Sequence, residues 1–316
     1  MISDKILYKV AYLYYIEGLT QNEIAQKLNF SRNKIMTFLK KGKGKGIIEI
    51  KVNPVNEDLA DLEIKLAKKY NLKECIIVDS SGNLEYLYKE MASELSLLLE
   101  KYVQNDYIIG ITYGKTIRKI INEIQLDSIN KNNIKVVPLM GGTGITDSIK
   151  YNSNIIASQL SEKIRGTSYI IHAPAISDSI DIKKKLESSP PVKLVYDLIN
   201  KMNIAIVTVG SIDADDAIVR SGEIGIKEYN DLKNLGIVGE ICFNFLDKSG
   251  NNIITEISKK IISASLESIK NTNIKILLSF SEKKINIILS VLYAKLIDIF
   301  ITDKDTASLL IKNNFN

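Results

Sequence analysis

The 316 residues predict an α/β protein in two parts, an N-terminal helix-turn-helix domain of winged type followed by a doubly wound parallel sheet. Seven continuous apolar runs of strand length are separated by helical patterns, the mark of parallel strands covered on both faces. Near the start, two N-cap signals at Thr20 and Ser31 bracket a short amphipathic segment. Charge is also uneven: residues 1–51 hold ten Lys and Arg against four acids, and the rest holds 32 against 33. Any anionic macromolecular partner is therefore expected at the N-terminal end.

Composition narrows the class. At 45% hydrophobic and 25% charged residues the chain is globular rather than disordered or repetitive. Cys75 and Cys242 stand apart with no CxxC or HxxxH company, so no disulfide framework, metal site or cofactor is expected. Asp4 and Lys5 interrupt the first apolar residues, and Lys295 and Asp298 interrupt the most apolar stretch. A cytoplasmic protein without a signal peptide or membrane span is the expectation.

In order along the chain, ILYKVAYLYYI (6–16) reads as a first helix stopped at Glu17-Gly18. Thr20 and Glu23 form a capping box, so a second helix starts at Gln21, with Ile24, Ala25 and Leu28 inward. Ala25 is small where paired helices approach closely. Ser31 caps a third helix with Ile35, Phe38 and Leu39 as its buried stripe. In a helix-turn-helix that last helix enters the major groove. Its N-terminal turns present Ser31, Arg32, Asn33, Lys34 and Thr37 to duplex DNA, with Arg32 and Asn33 the expected base readers, Lys34, Lys40 and Lys41 on phosphates, and Thr20 and Gln21 at the start of the supporting helix. Glycines at 42, 44 and 46 argue that the helix ends near Lys41, and the Lys-Gly run then reads as a basic loop before a short wing strand, Ile47 to Val52.

Domain boundaries follow: 1–53 for DNA binding, 54–70 as a connector helix carrying Leu59, Leu62 and Leu66, and 71–316 as the α/β body. Its strands are expected at 75–79, 107–112, 134–140, 168–174, 204–210, 274–280 and 297–303. Ligands of such sheets bind beyond the carboxyl ends of the strands. After the second run stands GITYGKTI, where Gly110, Thr112, Tyr113, Gly114, Lys115 and Thr116 place amides, hydroxyls and a lysine at a helix start, a combination suited to phosphate. After the third stands GGTG, where Gly141 and Gly142 allow a ligand to approach the backbone. His172, the sole histidine, is expected to be packed or ligand-facing, and the SIDADD carboxylates Asp213, Asp215 and Asp216 to be solvated. No nucleophile elbow, Walker loop or GxGxxG turn is present, so catalytic residues are not assigned.

Taken together, YKVAYLYYIEGLTQNEIAQKLNFSRNKI, GITYGKTI, the GG of LMGGTG, HAPAI, VTVGSI, VGEICFNFLDKSG and ITDKDTASLL resemble the SorC family of bacterial sugar-sensing transcriptional regulators. The resemblance spans nearly the whole chain. It implies an effector domain similar in fold to sugar-phosphate isomerases but used for sensing, with a phosphorylated sugar held on Thr112 to Thr116 near Gly141 and Gly142. It further implies effector contacts at Glu240 and Lys284, an operator in double-stranded DNA, and a homo-oligomer, dimer or tetramer. Two positions depart from the family pattern: Met140 replaces an arginine common before GG, and Phe280-Ser281 replace a pair of glycines before Lys284. An enzyme acting on sugar phosphates and a carbohydrate-binding module with an N-terminal protein contact are the competing expectations.

Overall fold

In the computed structural model the described residues are 3–49, 57–79, 82–126, 130–142, 146–212 and 224–313. They fall into two compact units, Met1–Val55 and Asn56–Asn316.

The first unit is helical: α1 (Asp4–Tyr15), α2 (Gln21–Leu28) and α3 (Arg32–Gly44). Leu7, Val10, Leu13, Ile24, Ala25, Ile35, Phe38 and Leu39 form its core. Thr20 and Glu23 close the capping box, since Glu23 N donates to Thr20 Oγ1 and Thr20 N donates to Glu23 Oε2. Asn29 ends α2 in the left-handed region, and the Phe30 amide then donates to the Ala25 carbonyl. Phe30 packs edge-on against Phe38.

Two expectations fail here. Helix α3 continues past Lys41 to Gly44, because Gly42 is buried against Ile48 and a Cβ there would lie 2.7 Å from its Cδ1. Tertiary contact thus offsets the intrinsic cost of glycine in a helix. Residues 47–49 form no strand, and the rest of the expected wing, 50–52, lies outside the described residues.

The second unit is built on seven parallel strands in the order β1-β10-β9-β5-β2-β3-β4, with β1 (Glu74–Val78), β2 (Ile108–Ile111), β3 (Lys135–Pro138), β4 (Thr167–Ser168), β5 (Ile204–Val207), β9 (Ile274–Leu278) and β10 (Ile299–Asp303). All pairings are parallel. Separate apolar cores cover the two faces, one including Leu66, Val137, Val207, Ile288 and Phe300, the other Met91, Leu95, Ile120 and Ile276. From β2 the sheet grows through β3 to β4 in one direction, and from β5 through β9 to β10 in the other. The order therefore reverses between β2 and β5.

Three features of this unit differ from the sequence reading. The run at 168–174 yields only the last residue of the two-residue edge strand β4, and its remainder is irregular, since Gly142 N donates to Ala173 O and Gly142 bridges Pro174 instead of extending the sheet. The helix expected to be a connector, α4 (Glu57–Tyr70), belongs to the second unit, with Leu66 fully buried and the Lys69 ammonium donating to the carbonyls of Leu310, Ile311 and Asn313. A second, antiparallel sheet was not foreseen. It pairs β6 (Gly210–Ser211), β7 (Ile237–Ile241) and β8 (Asn244–Asp247). Cys242 and Phe243 turn between its last two strands with φ of 51° and 58°, the left-handed pair that a two-residue hairpin demands, in side chains that are both buried.

Candidate functional site

The reversal of strand order between β2 and β5 opens a crevice at their carboxyl ends, the place where open α/β sheets bind ligands. Thr112 follows β2 and Thr208 follows β5. Their hydroxyl oxygens lie 3.2 Å apart, the Thr208 amide donates to Thr112 Oγ1, and the Thr208 hydroxyl donates to the Tyr113 carbonyl. Thr112 is completely buried, so it fixes the loop and is not an exposed ligand contact in this arrangement.

Beyond Thr112 the chain turns into α6 (Lys115–Glu123). Gly114 occupies its N-cap with φ of +116°, a conformation open to glycine, and no side chain caps the helix. Gly114 donates its own amide to the Tyr151 carbonyl at 3.0 Å. The first-turn amides, the exposed Lys115 and the half-buried Thr116 thus stand at a helix start that no N-cap side chain closes among the described residues. One turn on, Arg118 Nη1 is buried and makes no hydrogen bond, and burial holds the guanidinium below its ordinary value. A buried donor without an acceptor is the exception in folded proteins.

Tyr113 reaches the second sheet. Its hydroxyl donates to Glu240 Oε1 at 2.9 Å, its ring packs edge-on against Phe243, and the Phe243 amide donates to Glu240 Oε2 at 2.6 Å. Glu240, only 4% exposed, therefore braces the left-handed turn. Burial, and after it the Glu240 charge, pushes the Cys242 thiol well above its usual range, which leaves that cysteine inert. Lys284 ends the short turn Glu282–Lys284 after β9, on the same edge of the sheet as Thr112 and Thr208. Ser281, which starts that turn, has φ of 104°, a conformation that favours glycine, and its amide donates to Thr306 Oγ1.

Gly141 and Gly142 are both tied into the protein's own backbone. Gly141 donates to Ile262 O and Gly142 to Ala173 O, both at 2.8 Å. A Cβ on Gly141 would collide with the Pro174 carbonyl. At Gly141 the close approach is to the protein's own backbone, whereas a Cβ on Gly142 would meet the Asn152 side-chain amide at 3.2 Å. His172, expected to be packed or ligand-facing, is exposed in the irregular segment after β4. Asp213, Asp215 and Asp216 lie outside the described residues, as do Thr143 and Gly144. Among the described residues no cluster of three metal-ligating side chains occurs, and no helix is long and apolar enough to cross a membrane. Sequence reasoning missed Thr208 and the Cys242-Phe243 turn. The only signal for the first was a small polar residue closing an apolar strand.

In the first unit Ser31 caps α3 by accepting from the Lys34 amide, and Arg32, Asn33, Lys34, Thr37, Lys40 and Lys41 are all exposed. Arg32 lines a cleft of about 540 Å³ together with Tyr14, Gly18, Leu19, Thr20, Gln21 and Asn22. The Lys34 ammonium lies 5.2 Å from the centre of the Phe30 ring.

Residues 55–312 match the family described as "Putative sugar-binding domain". The chain is 28% identical over 310 residues to the sorbitol operon regulator of Klebsiella pneumoniae, covering 98% of both proteins. It is 26% identical over 306 residues to the deoxyribonucleoside regulator of Bacillus subtilis, covering 96% of each. The crystal structure of the full-length Klebsiella regulator SorC superposes with a TM-score of 0.76 at 27% identity, covering 99% of this chain and all of that one. Both relatives are named as regulators. With its family match, full-length relatives and seven-stranded parallel sheet, the chain belongs to the SorC family of sugar-binding transcriptional regulators.

Proposed function

We propose that this regulator binds an operator in double-stranded DNA through its first unit, and that a phosphorylated sugar in the β2/β5 crevice sets its operator affinity. The observation that carries the effector half is the uncapped start of α6 at the switch point. Amides, Lys115, Thr116 and the unpartnered Arg118 Nη1 supply donors there for a dianion. The polar ring of Thr208, Tyr113 and Glu240, with Lys284 at the rim, suits the hydroxyls of a sugar.

The operator half rests on the exposed residues of α3 and the local positive charge. Asn33 is shaped for adenine, and Lys40 and Lys41 for phosphates. Arg32 lines a cleft beside the first turn of α2 with Thr20 and Gln21, which supports a backbone phosphate as its partner. The protein acts as a cytoplasmic repressor, and a homodimer or tetramer presents paired helices to half-sites spaced by turns of the duplex. Ligand shifts affinity only as far as it discriminates between the operator-competent state and the other.

A thermal-shift screen of the full chain against phosphosugars tests the effector reading. A ligand at a hundredfold excess over its Kd stabilises by about 2.7 kcal/mol, and no response across pentose, hexose and polyol phosphates defeats it. Titration of genomic upstream duplexes at two salt concentrations tests the operator reading. Absence of salt-dependent binding defeats that half independently.

A further inference from the structure

Helix α3 buries Ile35, Phe38, Leu39 and Gly42. The opposite face therefore carries Asn33, Met36, Thr37 and Lys40, one turn apart and all exposed. Met36 is the anomaly of that face. It is 54% exposed, a long unbranched apolar chain between an asparagine and a lysine, and the core does not use it.

Its neighbour is apolar too in what it offers. The Thr37 hydroxyl donates to the Asn33 carbonyl at 2.9 Å, so its own helix occupies it and the methyl is the group left to face outward. The two cations of the first turn are drawn aside, Lys34 over the Phe30 ring and Arg32, the one that sequence alone would aim at a base, into the cleft by α2. The centre of the outward face is thus two apolar groups flanked by Asn33 and Lys40.

Only thymine shows an apolar group in the major groove, its C5 methyl, which also distinguishes T·A from A·T. We propose that Met36 and Thr37 read thymine methyl groups, and so give the recognition helix an apolar specificity element among its cations. This rests on the operator reading above. Asn33 beside them would take the adenine of the same or the adjoining pair, which makes an A·T-rich half-site centre the chemical expectation.

The test uses the full chain. Duplexes are first selected from a random pool, and each selected thymine is then replaced by deoxyuridine, which deletes the methyl alone. Binding should weaken by about three- to tenfold at one or two positions per half-site, the loss expected for one buried methyl or slightly more. Met36→Ala should abolish that sensitivity at one position and Thr37→Ser at the other. Both positions are exposed, and Thr37→Ser keeps the bond to Asn33, so helix content by circular dichroism should be unchanged. Enriched duplexes that tolerate deoxyuridine everywhere, or a penalty equal in the wild type and both variants, overturn the inference while the operator reading stands. A pool from which nothing is enriched removes the operator reading and this inference with it.

Discussion

The Tyr113 hydroxyl and the Glu240 carboxylate meet at 2.9 Å, and through that bond the loop after β2 is tied to the hairpin of the second sheet. The other carboxylate oxygen accepts from the Phe243 amide in the left-handed turn. One buried side chain therefore holds two segments that neither sheet pairs directly.

Removing that carboxylate should be costly. Glu240→Ala strands the Phe243 amide and the Tyr113 hydroxyl, and an orphaned buried donor costs about 1–3 kcal/mol. A urea midpoint shift of that size is expected, with Glu240→Gln losing less because it keeps an acceptor. An unchanged midpoint in both variants would show the brace to be idle.

Lys275 and Asp298 form the other buried polar link. Lys275 Nζ donates to Asp298 Oδ2 at 2.8 Å, the Lys275 amide donates to the same oxygen, and Lys275 Nζ also donates to the Thr272 carbonyl. Breaking a fully buried pair costs about 3–5 kcal/mol. The Asp298 side chain is 30% exposed, so water screens it and Lys275→Met should lose about 2–3 kcal/mol in guanidinium unfolding. The double variant Lys275→Met, Asp298→Asn should lose less than the two singles together, and simple additivity would dissolve the pair as a coupled unit.

Two half-buried carboxylates crowd the β1 edge. Burial raises Glu63, although the Ile77 amide it accepts pulls the other way, and burial with the neighbouring Glu63 charge raises Glu94. A carboxylate with a raised folded value binds its proton more tightly folded than unfolded. Stability should thus rise as pH falls from neutral through the folded values, and level off near the ordinary value of 4.5. Glu94→Gln should flatten that rise in melting temperature recorded between pH 7 and pH 5. An identical profile in wild type and variant would refute the assignment.

The capping box of α2 predicts a local effect. Thr20→Ala removes the acceptor for the Glu23 amide, and frays the helix so that its first-turn amides exchange about fivefold faster. Hydrogen exchange read by mass spectrometry resolves this without unfolding the second unit, and unchanged protection at Gln21 to Ile24 would count against the cap.

The central parallel strands were legible because both of their faces are buried, leaving apolar runs such as IAIV and IFIT with no alternation to confuse. Thr20, Ser31 and the helices they cap were legible because capping is local. The second sheet was hidden for the converse reason. Its turn places Cys242 and Phe243 where glycine or asparagine would announce a hairpin, and Glu240, distant from Tyr113 in sequence, supplies the bonds that hold it. The glycine at 141 shows why such a residue is ambiguous in sequence, since a close approach leaves the same trace whether the neighbour is a ligand or Pro174. Met36 drew no notice because exposure on a helix depends on which face its neighbours bury.

The Lys69 ammonium, clasping the carbonyls of Leu310, Ile311 and Asn313, and the Tyr70 hydroxyl, which also donates to Leu310, sew the first helix of the larger unit to its last. Trimming a handful of residues from the tail would therefore be felt at the far end of the chain's order in that unit, where α4 hands over to β1. A fusion partner at the C-terminus calls for a spacer, so that the carbonyls of Leu310, Ile311 and Asn313 keep their donors.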